Sequence, residues 1–155
     1  MKKSKPQLIN QFHHTENIVI DTWGGDCIAV HVGEDIKELC DHFCDFYKLP
    51  DNYRITSHTV QGTFVWVEEK HHQSYNLFVQ FNFSSDRVLI HECLHIVHRI
   101  LKNKGMKLTD SSEEAYCYLL DYLFNEVQSI VKRAKIEFKK YKKNESTKKA
   151  KEENT

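Results

Sequence analysis

Two apolar periods alternate along the chain and divide it into strands and helices. Ile18-Val19-Ile20-Asp21-Thr22-Trp23 is β-branched and predicts a strand, Gly24-Gly25 a turn, and Cys27–Val32 a second strand, so the pair reads as a hairpin. Glu34-Asp35 then open a helix to about Tyr47, with Ile36, Leu39, Cys40, Phe43, Cys44 and Tyr47 at i, i+3, i+4 spacing. Leu49-Pro50-Asp51-Asn52 stops it. Tyr53–His58 and Gly62–Glu69 read as strands, Lys70–Ser74 as a polar turn, and Tyr75–Phe83 as a further strand. Ser85–Lys104 is helical: Ser84-Ser85-Asp86 supplies the N-cap and an acid in the first turn. Val88, Leu89, Cys93, Leu94, Ile96, Val97, Ile100 and Leu101 predict a buried helix, with Gly105 as its stop. A last helix starts at Thr109–Ser112 and carries the stripe Ala115, Tyr118, Leu119, Tyr122, Leu123, Val127, Ile130 and Val131. It turns basic past Ala134, through Lys143; Asn144–Thr155, poor in apolar residues, predicts disorder. The fold class expected is α+β: an N-terminal helix, a small, mostly antiparallel twisted sheet, a central helix and a long C-terminal helix.

At 155 residues the chain is one domain with room for a core. The pattern places a flexible N-terminus at 1–16, where His13-His14 reads as a solvated pair, then the folded domain at 17–131. A basic helix end and disordered tail follow at 132–155. Net charge is zero, yet 132–155 holds ten Lys/Arg against four Glu, a surplus of six that the remainder balances. Bulk charge therefore does not point to nucleic acid, and the lysine-rich end reads as a solvated face or a dock for a protein partner. No run reaches membrane-spanning length, and no apolar stretch follows the basic Met1–Lys5. With five cysteines, odd in number and without a C-x-x-C, the expectation is a reduced, cytoplasmic chain. Cys40 and Cys44, one helical turn apart, read as core residues rather than ligands.

The central helix contains His91-Glu92-Cys93-Leu94-His95, an H-E-x-x-H motif. Residues i and i+4 of a helix lie ~40° apart around its axis, so both imidazoles face one point. Zinc takes such nitrogens at ~2.0–2.1 Å and is mostly four-coordinate. Glu92 sits beside that point, where a carboxylate serves as general base toward a zinc-bound water. With ten histidines in the chain the motif alone is weak, and its helical context is what strengthens it.

Val88 three places before the first histidine, uncharged Cys93-Leu94 inside the motif and Ile96-Val97 after it resemble the extended signature of zincin metallopeptidases. The order of helix, sheet and motif helix is similar to the N-terminal half of zincins, in which the sheet's edge strand pairs with extended substrate. In gluzincins the third zinc ligand is a Glu on the following helix. Glu113 and Glu114 stand 18 and 19 residues after His95. Both also fit capping boxes, Asp110-x-x-Glu113 and Ser111-x-x-Glu114. Glu114-Ala115-x-x-x-Leu119 resembles the Glu-Ala-Asn segment of ImmA/IrrE-like gluzincins, which favours Glu114 with Glu113 as alternate; Tyr116 stands where that family has Asn. The chain, over Glu34–Leu123, resembles small zincin-like proteins of tailed bacteriophages. The resemblance implies Zn²⁺ on His91, His95 and Glu114, Glu92 as general base, and a peptide or protein substrate. It implies host cytoplasm as the compartment, or the virion. The rival reading is a non-catalytic zincin-fold structural or binding protein, such as a virion or assembly component. His98 is too far along the helix to share the ion and is a candidate oxyanion donor, set against a satisfied polar residue at the helix end. Asp121 is a candidate to orient an imidazole or, equally, a solvated helix acid; Tyr116, Tyr118 and Tyr122 are candidate oxyanion donors, though such tyrosines more often serve helix packing.

Overall fold

The computed structural model describes residues 11–20, 25–69, 72–82 and 85–152. The strands are β1 (His13–Ile20), β2 (Asp26–Gly33), β3 (Gly62–Glu69) and β4 (His72–Gln80). The helices are α1 (Ile36–Tyr47), α2 (Asp86–Asn103) and α3 (Glu113–Glu152), with a short 3-10 turn at Asp51–Tyr53. The sheet order is β1-β2-β4-β3. β1/β2 and β3/β4 pair antiparallel, and β2/β4 pair parallel across the α1–β3 connection. The fold is α+β, as expected, on a mixed four-stranded sheet.

Side-chain alternation sends the two faces of this sheet to different partners. Ile18, Ile20, Ile28, Val30, Val32, Leu77 and Val79 share one core with α2 and α3. Val65, Val67 and Phe78 share the other with Ile36, Leu39, Cys40 and Cys44 of α1. Caps fix the helix ends. Asp35 accepts the N–H groups of Lys37 and Glu38 at 2.9 and 3.2 Å and starts α1. Gly105, at φ 77°, closes α2 in a Schellman turn: Met106 N–H donates to Leu101 and Gly105 N–H to Lys102. Ser85 holds the N-cap position of α2, but its hydroxyl makes no capping bond. Ser84 lies outside the described residues, as do Asp21–Gly24 of the expected first strand and its turn.

Several expectations are corrected. Residues 13–16 are not loose: they form the first half of β1, held by β2 and by two links to α3, the His14–Glu137 hydrogen bond and the Glu16–Arg133 ion pair. Tyr53–His58 is not a strand. Arg54, bound to the Asp41 carbonyl and to the Asp45 and Asp51 carboxylates, ties this segment to the end of α1 instead. β4 begins at His72, three residues before the expected start. Leu94 is 46% exposed, as are Tyr118 (73%) and Tyr122 (43%). The buried stripe of α3 is Tyr116, Leu119, Leu123, Val127, Ile130, Val131 and Ala134, a 3.6-residue period that puts Tyr118 and Tyr122 outside it. Finally, α3 does not fray at Asn144 but runs through Glu152. Lys and Glu propagate an existing helix well. Lys142 anchors it to Glu34, and Ser146 and Thr147 hydroxyls bond carbonyls four residues back.

Candidate metal centre and sheet-edge groove

α2 packs closely against β3 because Gly62 lets it come near. A Cβ on Gly62 would stand 2.6 Å from Cγ1 of Val88 and 3.5 Å from Cγ of Glu92. Glycine is what allows this strand–helix contact. Its consequence is a hydrogen bond from the backbone N–H of Phe64 to Oε2 of Glu92, 2.7 Å long.

That N–H is free to bond because β3 is an edge strand. Gln80 N–H donates to the Gln61 carbonyl, so residues 61 and 80 form a hydrogen-bonded pair, as then do 63/78 and 65/76. The N–H and C=O groups of Phe64 and Trp66 point the other way, to the open side. A cavity of about 460 Å³ runs there, lined by Thr63–Trp66 from both faces of the strand, by Asn52–Thr56 opposite, and by Arg99 of α2. The histidine motif stands outside that lining; Phe64 and Glu92 join the two.

The motif itself is assembled in part. Nε2 of His91 and Nε2 of His95 face each other at 3.0 Å. Two nitrogens bound to one tetrahedral zinc would be about 3.3 Å apart, so the pair needs to open by only a few tenths of an ångström. Both imidazoles are exposed, whereas the Glu92 side chain is 12% exposed, with Oε1 4.0 Å from His91 Nε2. Burial raises the Glu92 pKa above the usual carboxylate value; the Phe64 N–H and the two histidines oppose that rise without cancelling it.

Glu113 and Glu114 are exposed at the head of α3 and take no hydrogen bond among the described residues, so neither capping box is realised. Ser111 and Ser112 instead bond Thr109. Among the described residues no three His, Cys, Asp or Glu side chains are gathered as a metal cage. The phase of α3 nevertheless separates the two glutamates. Tyr122, Arg133 and Glu137 mark the flank that faces β1. Leu120 and Phe124 pack into the core from the opposite flank, toward α2. Glu113, seven residues before Leu120, shares that flank; Glu114 is turned ~100° further, toward solvent.

The remaining candidates are placed as follows. His98 is exposed, its ring 6.4 Å from that of Tyr116. Tyr116 is buried and donates to the Met106 carbonyl; Tyr122 donates to the Val19 carbonyl. Both hydroxyls are therefore engaged away from the motif. Asp121 is exposed and bonds neither histidine. Cys40 and Cys44 are buried, and burial pushes the Cys40 thiol up to about 12, as befits a core residue. Sequence reasoning missed Gly62, Phe64, Trp66 and Arg99. Arg99 was within its reach: it lies seven residues after Glu92 and eleven after Val88, on one flank of α2.

The chain matches no protein-family model, no curated protein and no solved structure in the corresponding comparisons. No helix among the described residues is long and apolar enough to cross a membrane.

Proposed function

We propose that this protein is a zinc-dependent metallopeptidase whose substrate lies extended along the free edge of β3. The observation that carries the reading is the convergence of His91 and His95 on one point, 3.0 Å apart, beside a half-buried Glu92 that is itself bonded to that edge. The two imidazoles suit two corners of a tetrahedral zinc site. The phase of α3 supports Glu113 over Glu114 as the third ligand. A zinc ion held there would supply Lewis acidity toward a peptide carbonyl and toward water.

The chain's own residues supply the rest. β3 offers outward N–H and C=O groups to a peptide backbone, the β-addition mode of recognition. Glu92, with its proton affinity raised by burial, would take a proton from water and return it to the leaving amine. The Phe64 N–H fixes one carboxylate oxygen and leaves the other free for this task.

Metal analysis of protein purified without added zinc tests the site. One zinc per chain is expected, lost in His95→Ala and in Glu113→Ala, and kept in Glu114→Ala and Glu92→Gln. Peptide hydrolysis should vanish in Glu92→Gln. No zinc uptake by the wild type refutes the metal site, and turnover retained in Glu92→Gln refutes the mechanism. Zinc uptake without hydrolysis would leave a peptide-binding module.

A further inference from the structure

The groove along β3 holds two guanidinium groups in very different states. Arg54 is saturated by acids: Nη2 on Asp45, Nε on Asp51 and Nη1 near Asp41. Arg99 has no such partner. Its Cζ lies 3.8 Å from the ring centroid of Trp66, over the face of the indole. Stacking uses the face of a guanidinium, while its five N–H donors lie in the plane. No carboxylate or carbonyl among the described residues accepts from them. Arg99 is thus a rigidly placed cation, half-buried in the groove, with its donor edge unspent.

We infer that Arg99 reads a carboxylate on a peptide laid along β3. The inference deepens the proposed function and rests on its claim that the β3 edge takes a peptide, though not on the metal chemistry. Planar, bidentate recognition is what a free guanidinium edge does best. Position narrows the class further. Arg99 covers Trp66 and Glu92 holds Phe64, two residues apart on the strand, or about 6.8 Å. The carboxylate therefore falls about two residues from the peptide bond that faces Glu92. A peptide antiparallel to β3 would bring an Asp or Glu side chain there, on the N-terminal side of that bond. A parallel peptide would bring its own C-terminal carboxylate.

The test uses full-length Glu92→Gln, which keeps an acceptor for the Phe64 N–H but cannot serve as base. Three pools of N-acetylated random hexapeptides are offered: acid-free amides, amides with one glutamate, and acid-free peptides with a free C-terminus. Capture is quantified by mass spectrometry. One acid-bearing pool should be enriched about tenfold over the neutral pool, and adding Arg99→Gln should abolish the enrichment. A urea midpoint equal to that of Glu92→Gln alone shows that the double variant is folded. Enrichment of the glutamate pool assigns the side chain and the antiparallel direction; enrichment of the free-acid pool assigns the C-terminus. Equal capture of all three pools overturns the role of Arg99 while peptide binding at β3 stands. Enrichment that survives Arg99→Gln overturns it too. Capture of none overturns both.

Discussion

Replacing Gly62 with alanine tests the contact that puts Glu92 on the sheet edge. The new methyl carbon would sit 2.6 Å from Val88 Cγ1, where carbon pairs prefer 3.5–4.0 Å. About 1 Å must be found. Valine on a helix has one strongly preferred χ1, so Val88 cannot swing aside cheaply. The first turns of α2 must lift instead, and the 2.7 Å bond from Phe64 to Glu92 stretches past hydrogen-bonding range. Overpacking of this kind costs about 1–3 kcal/mol. For a chain of 155 residues a loss of about 2 kcal/mol lowers Tm by roughly 4–8 °C. Urea unfolding of Gly62→Ala, Val88→Ala and the double variant forms the assay, with hydrogen exchange at the Phe64 amide as a local reporter. The double variant should recover most of the loss, leaving a coupling of about 1.5 kcal/mol, and the Phe64 amide should exchange faster only in the single alanine at 62. A Gly62→Ala protein within 0.5 kcal/mol of wild type, or strictly additive effects, would refute the close-approach argument.

Two further outcomes follow from charge. His31 is buried between Phe78, Thr15 and Asn76, and burial lowers its pKa to about 4. The unfolded chain, with a pKa near 6.5, binds the proton more tightly. Stability is therefore full above about pH 6.5 and falls as pH drops toward 4, by about 3 kcal/mol in all; wild type minus His31→Gln, compared by urea midpoint at pH 7 and 4.5, should show this slope, and parallel curves would exclude it. Glu16 is held down to about pKa 2, chiefly by its hydrogen bonds from Arg133 and secondly from His14, against a desolvation that opposes them. Its contribution is present above about pH 4.5 and lost as pH falls through 2, and a Glu16→Gln/Arg133→Gln cycle at pH 7 should give a coupling of about 1 kcal/mol that vanishes by pH 2.

The parts of the fold that were legible in the sequence are those where local pattern and tertiary role agree. The helix of residues 86–103 has a buried stripe, a glycine stop and an i, i+4 histidine pair, and these appear as read except that Leu94 is exposed. β3 and the β1–β2 hairpin were likewise marked by β-branched runs and glycine turns. Two of the failures share a cause: the deciding partner lies in another element. His13–Glu16 is polar, yet it is a strand because β2 and α3 hold it. Tyr53–His58 has strand composition, yet Arg54 is captured by the acids of α1 and its own turn. At the site, the histidine pair and its neighbouring base follow from helix geometry alone. The Phe64–Glu92 bond and the Arg99–Trp66 stack depend on which strand is the edge, and no local pattern encodes strand order.

That strand order also bears on where function resides. A sheet of this kind has two edges, and exposed edges are hazards that folds close unless they are used. The β1 edge is tied to α3: Arg133 meets Glu16, Glu137 meets His14, and the Tyr122 hydroxyl donates to the Val19 carbonyl. Among the described residues one side chain of α2 bonds the β3 backbone, Glu92 on the Phe64 N–H, and the edge otherwise opens onto a groove in which Arg99 stacks on Trp66 without an acid partner. α2 packs closely enough on β3 that a methyl group would not fit between them at Gly62, so proximity is not what leaves the edge open. Beyond Val88 at Gly62, α2 presents Glu92 at Phe64 and Arg99 at Trp66, one on each side of a two-residue step along the strand. A helix serving only to cover the edge would present apolar side chains. This one presents a carboxylate and a guanidinium at β-strand spacing, the arrangement on which the proposed peptide site rests.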